Sequence, residues 1–146
     1  MFHDNWNSER DWDILTSFGF NLVRKPLLWS VMEDKNNPET IRPDAWECID
    51  WAISQAAERN MYTILDMHGV VGGHGEKDHT GCEGQNQYWT NTAYQSRTIW
   101  LWEQIAEKYR GNSNVAAYGL LNEPWGSTSQ NMATRMFELY DAVRAV

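Results

Sequence analysis

Apolar residues recur along this 146-residue chain in two alternating patterns, a helical spacing and short runs typical of buried strands. The helical spacing occurs in four segments, and three short apolar runs lie between them. These runs are Phe20–Arg24, Tyr62–His68 and Val115–Leu121. The resulting order of helix, strand, helix, strand, helix, strand, helix predicts an α/β fold with a parallel sheet and right-handed crossovers.

The predicted helices have recognisable boundaries. Ser8, with Asp11 three residues on, is typical of a capped helix start, and Gly19 is placed to end that helix. The second helix is predicted to end near Asn60, the third to span roughly 93–109, and the last to run from about Gln130. The apolar faces predicted for the second and third helices are Trp46, Ile49, Ile53, Ala56 and then Ile99, Trp102, Ala106, Tyr109.

Residues Gly69 to Trp89 form a long predicted loop that contains glycine, histidine and asparagine. Loops of this length inside a compact domain are commonly functional or disordered. Its side chains of metal-binding type match no known ligand spacing, so we predict no metal site and a solvated loop with some substrate contacts. They are His74, Asp78, His79, Cys82 and Glu83.

Composition narrows the classes of function. Twelve basic and twenty acidic residues give a net charge of −8, which argues against a nucleic-acid surface, and no apolar run suggests a membrane span. The two cysteines match no zinc spacing and do not require a disulfide. The nine tryptophans suit protein cores and sugar-stacking surfaces alike, so their number raises a carbohydrate hypothesis.

Both ends of the chain resemble cuts in a longer sequence. Met1-Phe2-His3-Asp4 has neither the basic nor the apolar region of a signal peptide, and the last predicted helix carries no stop signal. We therefore expect one partial domain over residues 1–146, truncated at both ends. The cellular location stays open.

Polar side chains end each of the three predicted strands. Arg24 ends the first, Asp66 and His68 lie near the end of the second, and Asn122 and Glu123 follow the third. Because the carboxyl ends of parallel strands meet at one edge of a sheet, we expect these side chains to converge. The proline after Glu123 favours extended geometry, so this carboxylate is expected to end its strand.

These residue types suit the cleavage of a glycosidic bond. That reaction needs a carboxylic acid to protonate the leaving oxygen and a second carboxylate as nucleophile or base. Glu123 suits the acid role if its neighbours raise its pKa. Arg24 would keep a partner carboxylate ionised, and Asn122 and neutral His68 can bond sugar hydroxyls. For Asp66 a hydrogen-bonding role beneath the site is favoured over catalysis.

The segments 21–24, 65–69 and 121–124 together resemble glycoside hydrolase family 5, the cellulase family. The resemblance covers essentially the whole chain, as strands two to four with helices one to four of a (β/α)8 TIM barrel. It implies a retaining glycosidase that acts on a β-glucan such as cellulose, without a cofactor.

The resemblance also implies roles for individual residues. Glu123 would be the acid/base catalyst, and Asn122 would bond the sugar next to the scissile bond. Arg24 would support the nucleophile, and His68 would line the same subsite.

Trp125 and Trp29 are candidate sugar-stacking residues, with a core or rim role left open for each. The nucleophile of the family is a glutamate that ends strand seven, which lies beyond the segment matched here. We therefore expect half of a two-carboxylate site, and no meaningful hydrolysis by this chain alone.

The sequence leaves two alternatives to a β-glucanase open. The chain could be a non-catalytic carbohydrate-binding half-barrel, which would expose sheet edges and self-associate. The same enzyme class could instead act on β-mannan, β-1,3-glucan or a glycolipid. The expected partner in either case is a polysaccharide or oligosaccharide.

Overall fold

A computed structural model describes residues 8–146, and within them the strands form one parallel three-stranded sheet in the order β1-β2-β3. The strands are β1 (Leu22–Leu28), β2 (Tyr62–Gly69) and β3 (Val115–Gly119). β2 is central and pairs with both neighbours. The predicted parallel α/β order is confirmed, while the opening segment Met1-Phe2-His3-Asp4 lies outside the described residues.

Helices connect the strands as the sequence predicts, with two short additions. The described helices are α1 (Glu9–Ser17), α2 (Trp29–Met32), α3 (Glu47–Glu58), α4 (Thr92–Lys108), α5 (Ser129–Ala145) and a 3-10 helix, Asp78–Thr80. α2 and the 3-10 helix were not predicted. Within residues 8–146, no helix has both the length and the apolar character needed to cross a membrane.

Local sequence explains where the long helices begin and end. Ser8 donates its backbone N–H to Asp11 Oδ2 at 2.7 Å, and Gly19 follows α1 with a φ of 81°. The side chain of Asn91 accepts hydrogen bonds from two backbone N–H groups in the first turn of α4.

The core lies between one face of the sheet and helices α3 and α4. Leu65 and Met67 of β2 are fully buried, as is Trp102 of α4, and Ile49 of α3 is nearly so. Because side chains alternate along a strand, Asp66 and His68 lie on the opposite face of β2. The helices therefore cover one face of the sheet, and the polar residues occupy the other.

The prediction that Arg24 ends the first strand is wrong. β1 continues to Leu28, so Arg24 lies within the strand, and Pro26 is paired opposite Asp66. Among the described residues β1 is an edge strand, and an edge strand tolerates proline where the missing N–H faces away from the paired neighbour.

Candidate active site

Four polar side chains from all three strand regions form a hydrogen-bonded network. Arg24 Nη2 lies 2.7 Å from Asp66 Oδ1 and donates to Asn122 Oδ1 at 2.5 Å. His68 Nδ1 lies 2.9 Å from Asp66 Oδ2, and Asn122 Nδ2 lies 3.4 Å from His68 Nε2. The structure therefore brings together four residues that the sequence predicts to converge.

The network holds each side chain in a defined orientation. The side chain of Asp66 is only 2% exposed, and its two oxygens contact Arg24 and His68, which compensate its buried charge. A proton on His68 Nδ1 directed at Asp66 leaves Nε2 as an acceptor toward Asn122. Asp66 thus lies beneath the site as a hydrogen-bonding partner.

Close backbone packing makes room for this network. Asn122 donates its backbone N–H to Met67 O at 2.9 Å, so contact with β2 continues beyond the end of β3. A Cβ atom on Gly119 would lie 2.7 Å from Asp66 Oδ1. Only glycine at this position lets the Asp66 carboxylate occupy its place.

Glu123 lies in a turn and does not end a strand, which corrects the prediction. β3 stops at Gly119, and Glu123 has a φ of 42°, in the left-handed region. The following proline was expected to impose extended geometry, but contacts of the turn override this local preference. The side chain of Glu123 is 75% exposed, and its Oε2 lies 3.3 Å from His79 Nε2.

The first part of the loop over residues 69–89 is buried, so the predicted solvation is wrong for His74, whereas Asp78 and Glu83 are exposed as predicted. His74 and Val70 are fully buried, and Tyr88 and Trp89 nearly so. Thr80 Oγ1 donates to Gly75 O and Lys77 O, which folds the loop onto itself. The loop forms a wall beside the Glu123 turn.

His74 occupies the centre of this wall. Its Nε2 donates to Asn122 O at 2.6 Å, and its Nδ1 has no hydrogen-bond partner among the described residues. Burial lowers the pKa of His74, and the hydrogen bond to Asn122 offsets part of that effect. The imidazole is therefore neutral near pH 7, with its proton on Nε2.

The two candidate stacking tryptophans lie in different surroundings. Trp125 is 62% exposed. It borders a cleft of about 400 Å³ lined by Gly75, Lys77, His79, Thr80, Glu123, Pro124 and Trp125. Trp29 donates its indole N–H to Gly81 O at 2.9 Å, and the Arg97 guanidinium lies 5.4 Å from its ring centroid. These contacts favour an anchoring role for Trp29.

Sequence reasoning missed His74, His79 and Gly119 as site residues. The length of the loop and its glycine and histidine content indicated a functional loop, but nothing in the sequence distinguished a buried histidine from a solvated one. Gly119 lacks any local signal, because the group that requires it is a side chain on the neighbouring strand.

A parallel α/β sheet with polar side chains gathered near the carboxyl ends of its strands is the arrangement found in (β/α)8-barrel enzymes. The family model described as Cellulase (glycosyl hydrolase family 5) matches residues 2–146. The chain belongs to this family, as the resemblance implied.

Curated relatives match most of this chain but extend well beyond it. A beta-xylosidase from Phanerodontia chrysosporium is 32% identical over 145 residues, which cover 99% of this chain and 30% of the relative. An endoglucanase from Paenibacillus polymyxa is 29% identical over 139 residues, which cover 87% of this chain and 32% of the relative. The chain thus spans about a third of the length of these relatives.

The fold also matches solved structures that extend beyond it. The endoglucanase Cel5A from Thermotoga maritima superposes with a TM-score of 0.74 at 22% identity, covering 95% of this chain and 41% of that one. The predicted partial TIM barrel is thereby confirmed.

Proposed function

We propose that this chain supplies the acid/base half of the active site of a retaining β-glycosidase that acts on a β-glucan. The observation that carries the proposal is the network of Arg24, Asp66, His68 and Asn122, which fixes the side chain of the residue that directly precedes the exposed Glu123. In this proposal Glu123 protonates the glycosidic oxygen in the first step and deprotonates water in the second.

Asn122 and His68 are proposed to bond the sugar next to the scissile bond. The oxygen of the Asn122 amide accepts from Arg24, and its nitrogen lies toward His68, so the amide cannot rotate freely. A fixed amide loses little conformational freedom when it bonds a hydroxyl group, which favours a productive substrate position.

The nucleophile is proposed to come from a segment outside the described residues. Asp66 is the carboxylate within the network, but it is buried and both of its oxygens are engaged. Arg24 is 48% exposed and contacts Asp66 and Asn122 through Nη2, so its other N–H groups can face an incoming carboxylate. This supports the proposed role of Arg24 beside the nucleophile.

Trp125 is proposed to stack on a sugar ring of the substrate. It is exposed and lines the same cleft as Glu123, so a ring placed on the indole lies close to the proton donor. Trp29 stays a weaker candidate, because its indole N–H and one ring face are already engaged.

Family membership and the endoglucanase relative support a β-glucan substrate. The beta-xylosidase relative, which is the more identical of the two relatives described, favours a β-xyloside as second candidate. A xylosyl ring lacks the hydroxymethyl group of a glucosyl ring, so paired 4-nitrophenyl β-glucoside and β-xyloside, with cello- and xylo-oligosaccharides, would separate the two. Greater kcat/KM on the xylo series would overturn the β-glucan assignment.

The acid/base role is tested by Glu123→Gln in the protein encoded by the full reading frame that contains this chain. The amide has nearly the same shape but cannot give up a proton, so kcat on polysaccharide should fall about 100- to 10,000-fold. Glu107→Gln, an exposed change on α4, is the matched control and should keep full activity. Unimpaired hydrolysis by Glu123→Gln would reject the proposal.

A further inference from the structure

We infer that His74 is the positioning residue of Glu123: its buried imidazole and its backbone hold the turn that presents the proposed acid/base carboxylate. The inference rests on the proposed role of Glu123 and extends it to a residue in the loop after β2. His74 and Glu123 are separated by 48 residues in sequence, and only the fold brings them together.

His74 binds the chain on both sides of Glu123. On the preceding side, Nε2 donates to Asn122 O at 2.6 Å. On the following side, His74 O accepts the backbone N–H of Trp125 at 3.4 Å. The indole N–H of Trp89 also contacts His74 O at 3.2 Å and Trp125 O at 2.8 Å, which braces the same arrangement.

Glu123 requires such support because of its backbone conformation. Its φ of 42° is unusual for a residue with a side chain, and strained conformations persist only where surrounding contacts determine them. Its carboxylate is exposed and contacts only His79 among the described residues, so side-chain packing does not fix it. The backbone contacts of His74 therefore set where the proton donor lies.

A packing role alone does not account for a histidine here. The imidazole is fully buried, and its Nδ1 has no hydrogen-bond partner in residues 8–146, so it carries a desolvation cost that an apolar side chain would avoid. The compensating feature is the Nε2–H donor, which reaches the carbonyl of the residue before Glu123.

The test compares His74→Leu with His74→Gln in the enzyme encoded by the full reading frame. Leucine fills the space without a donor, whereas the side-chain amide of glutamine can replace the Nε2–H donor. Each variant is assayed for kcat/KM on polysaccharide and on a 2,4-dinitrophenyl β-glycoside, whose leaving group departs without protonation. A defect that acts through the proton donor therefore lowers kcat/KM on polysaccharide and leaves kcat/KM on the dinitrophenyl glycoside unchanged.

The expected result is a selective loss. His74→Leu should lower kcat/KM on polysaccharide about 10- to 100-fold, in line with the cost of a small misplacement, and change the activated substrate less than about 3-fold. His74→Gln should stay within about 3-fold of the parent enzyme on both substrates. Thermal unfolding of each variant verifies that it is folded, and His74→Met serves as a second apolar variant.

Three outcomes would overturn the inference. These are equal losses on the two substrates, full activity of both apolar variants on polysaccharide, or a loss in His74→Gln as large as that in His74→Leu. Failure of the proposed function has a different signature, because Glu123→Gln would then hydrolyse polysaccharide normally whatever the result for His74.

Discussion

At the scale of single residues, the buried state of His74 links stability to pH. Burial lowers its pKa in the folded chain, so below about pH 6.5, the ordinary value for histidine, the unfolded chain binds a proton that the folded chain resists. Stability should therefore fall as the pH drops from 7 to 5. The nearby His68 and His79 also disfavour a positive charge on His74.

Thermal unfolding of the enzyme encoded by the full reading frame, and of its His74→Gln variant, at pH 7 and pH 5 measures this effect. Between pH 7 and pH 5 the unfolding midpoint temperature should fall further in the parent than in the glutamine variant, because glutamine does not titrate. Other groups titrate in both proteins, so the difference between their two midpoint shifts measures the contribution of His74. An equal loss in both would show that His74 does not carry the pH dependence.

The close approach of Gly119 to the Asp66 carboxylate leaves no room for a side chain. Gly119→Ala places a methyl group against the buried Asp66 carboxylate, so the unfolding free energy should fall by about 1–3 kcal/mol. Chemical denaturation measures the change. Ala117→Ser, two residues earlier and exposed, is the control and should stay within about 0.5 kcal/mol. A neutral Gly119→Ala would mean that the carboxylate moves without cost.

The placement of the site residues was predictable where it depends on their spacing along one strand. Asp66 and His68 are two apart on one strand, so a shared face follows from the sequence alone. The left-handed φ of Glu123 was not predictable, because contacts with a distant loop outweigh the preference imposed by the next proline.

At the scale of elements, a buried ion pair ties α2 to α4. Glu33, directly after α2, is fully buried and lies 2.9 Å from Arg97 Nε on α4. Arg97 also lies over Trp29, whose indole N–H holds the loop at Gly81. The pair therefore connects the helices to the wall beside the site.

Removing one partner of this pair should be costly. Arg97→Met leaves the Glu33 carboxylate buried without its cation, so the unfolding free energy should fall by about 3–5 kcal/mol. The double variant Glu33→Gln with Arg97→Met should recover part of that loss in denaturant titrations. A double variant as unstable as the sum of both single changes would show that the two residues do not interact.

The long elements were predictable and the short ones were not. α3, α4 and α5 lie within a few residues of their predicted bounds, because several turns establish a helical period. α2 has four residues and the 3-10 helix has three, which is too short for a period to appear. β1 extends beyond its predicted end because an edge strand accommodates Pro26.

At the scale of the whole molecule, the sheet is open on both sides within the described residues. β1 and β3 each pair with β2 alone, and the exposed apolar residues include Leu22 at 43% and Tyr62 at 51%. Unpaired strand edges with nearby apolar surface favour association between copies.

The 146-residue chain expressed by itself should therefore self-associate. Size-exclusion chromatography with light scattering over a range of concentrations would measure this. Ala116→Lys, which places a charge on the exposed surface of β3, should reduce the association. A stable monomer at every concentration would contradict the prediction.

The indole of Trp89 has a consequence for how such a protein changes over evolutionary time. Its single N–H spans two carbonyls, one in the loop after β2 and one in the turn after β3, so neighbouring units of the fold are joined there. The contacts that hold the turn around the proposed proton donor are thus all made by residues of this chain, which spans about a third of the length of the relatives. Substitutions beyond this stretch do not change the residues that make these contacts.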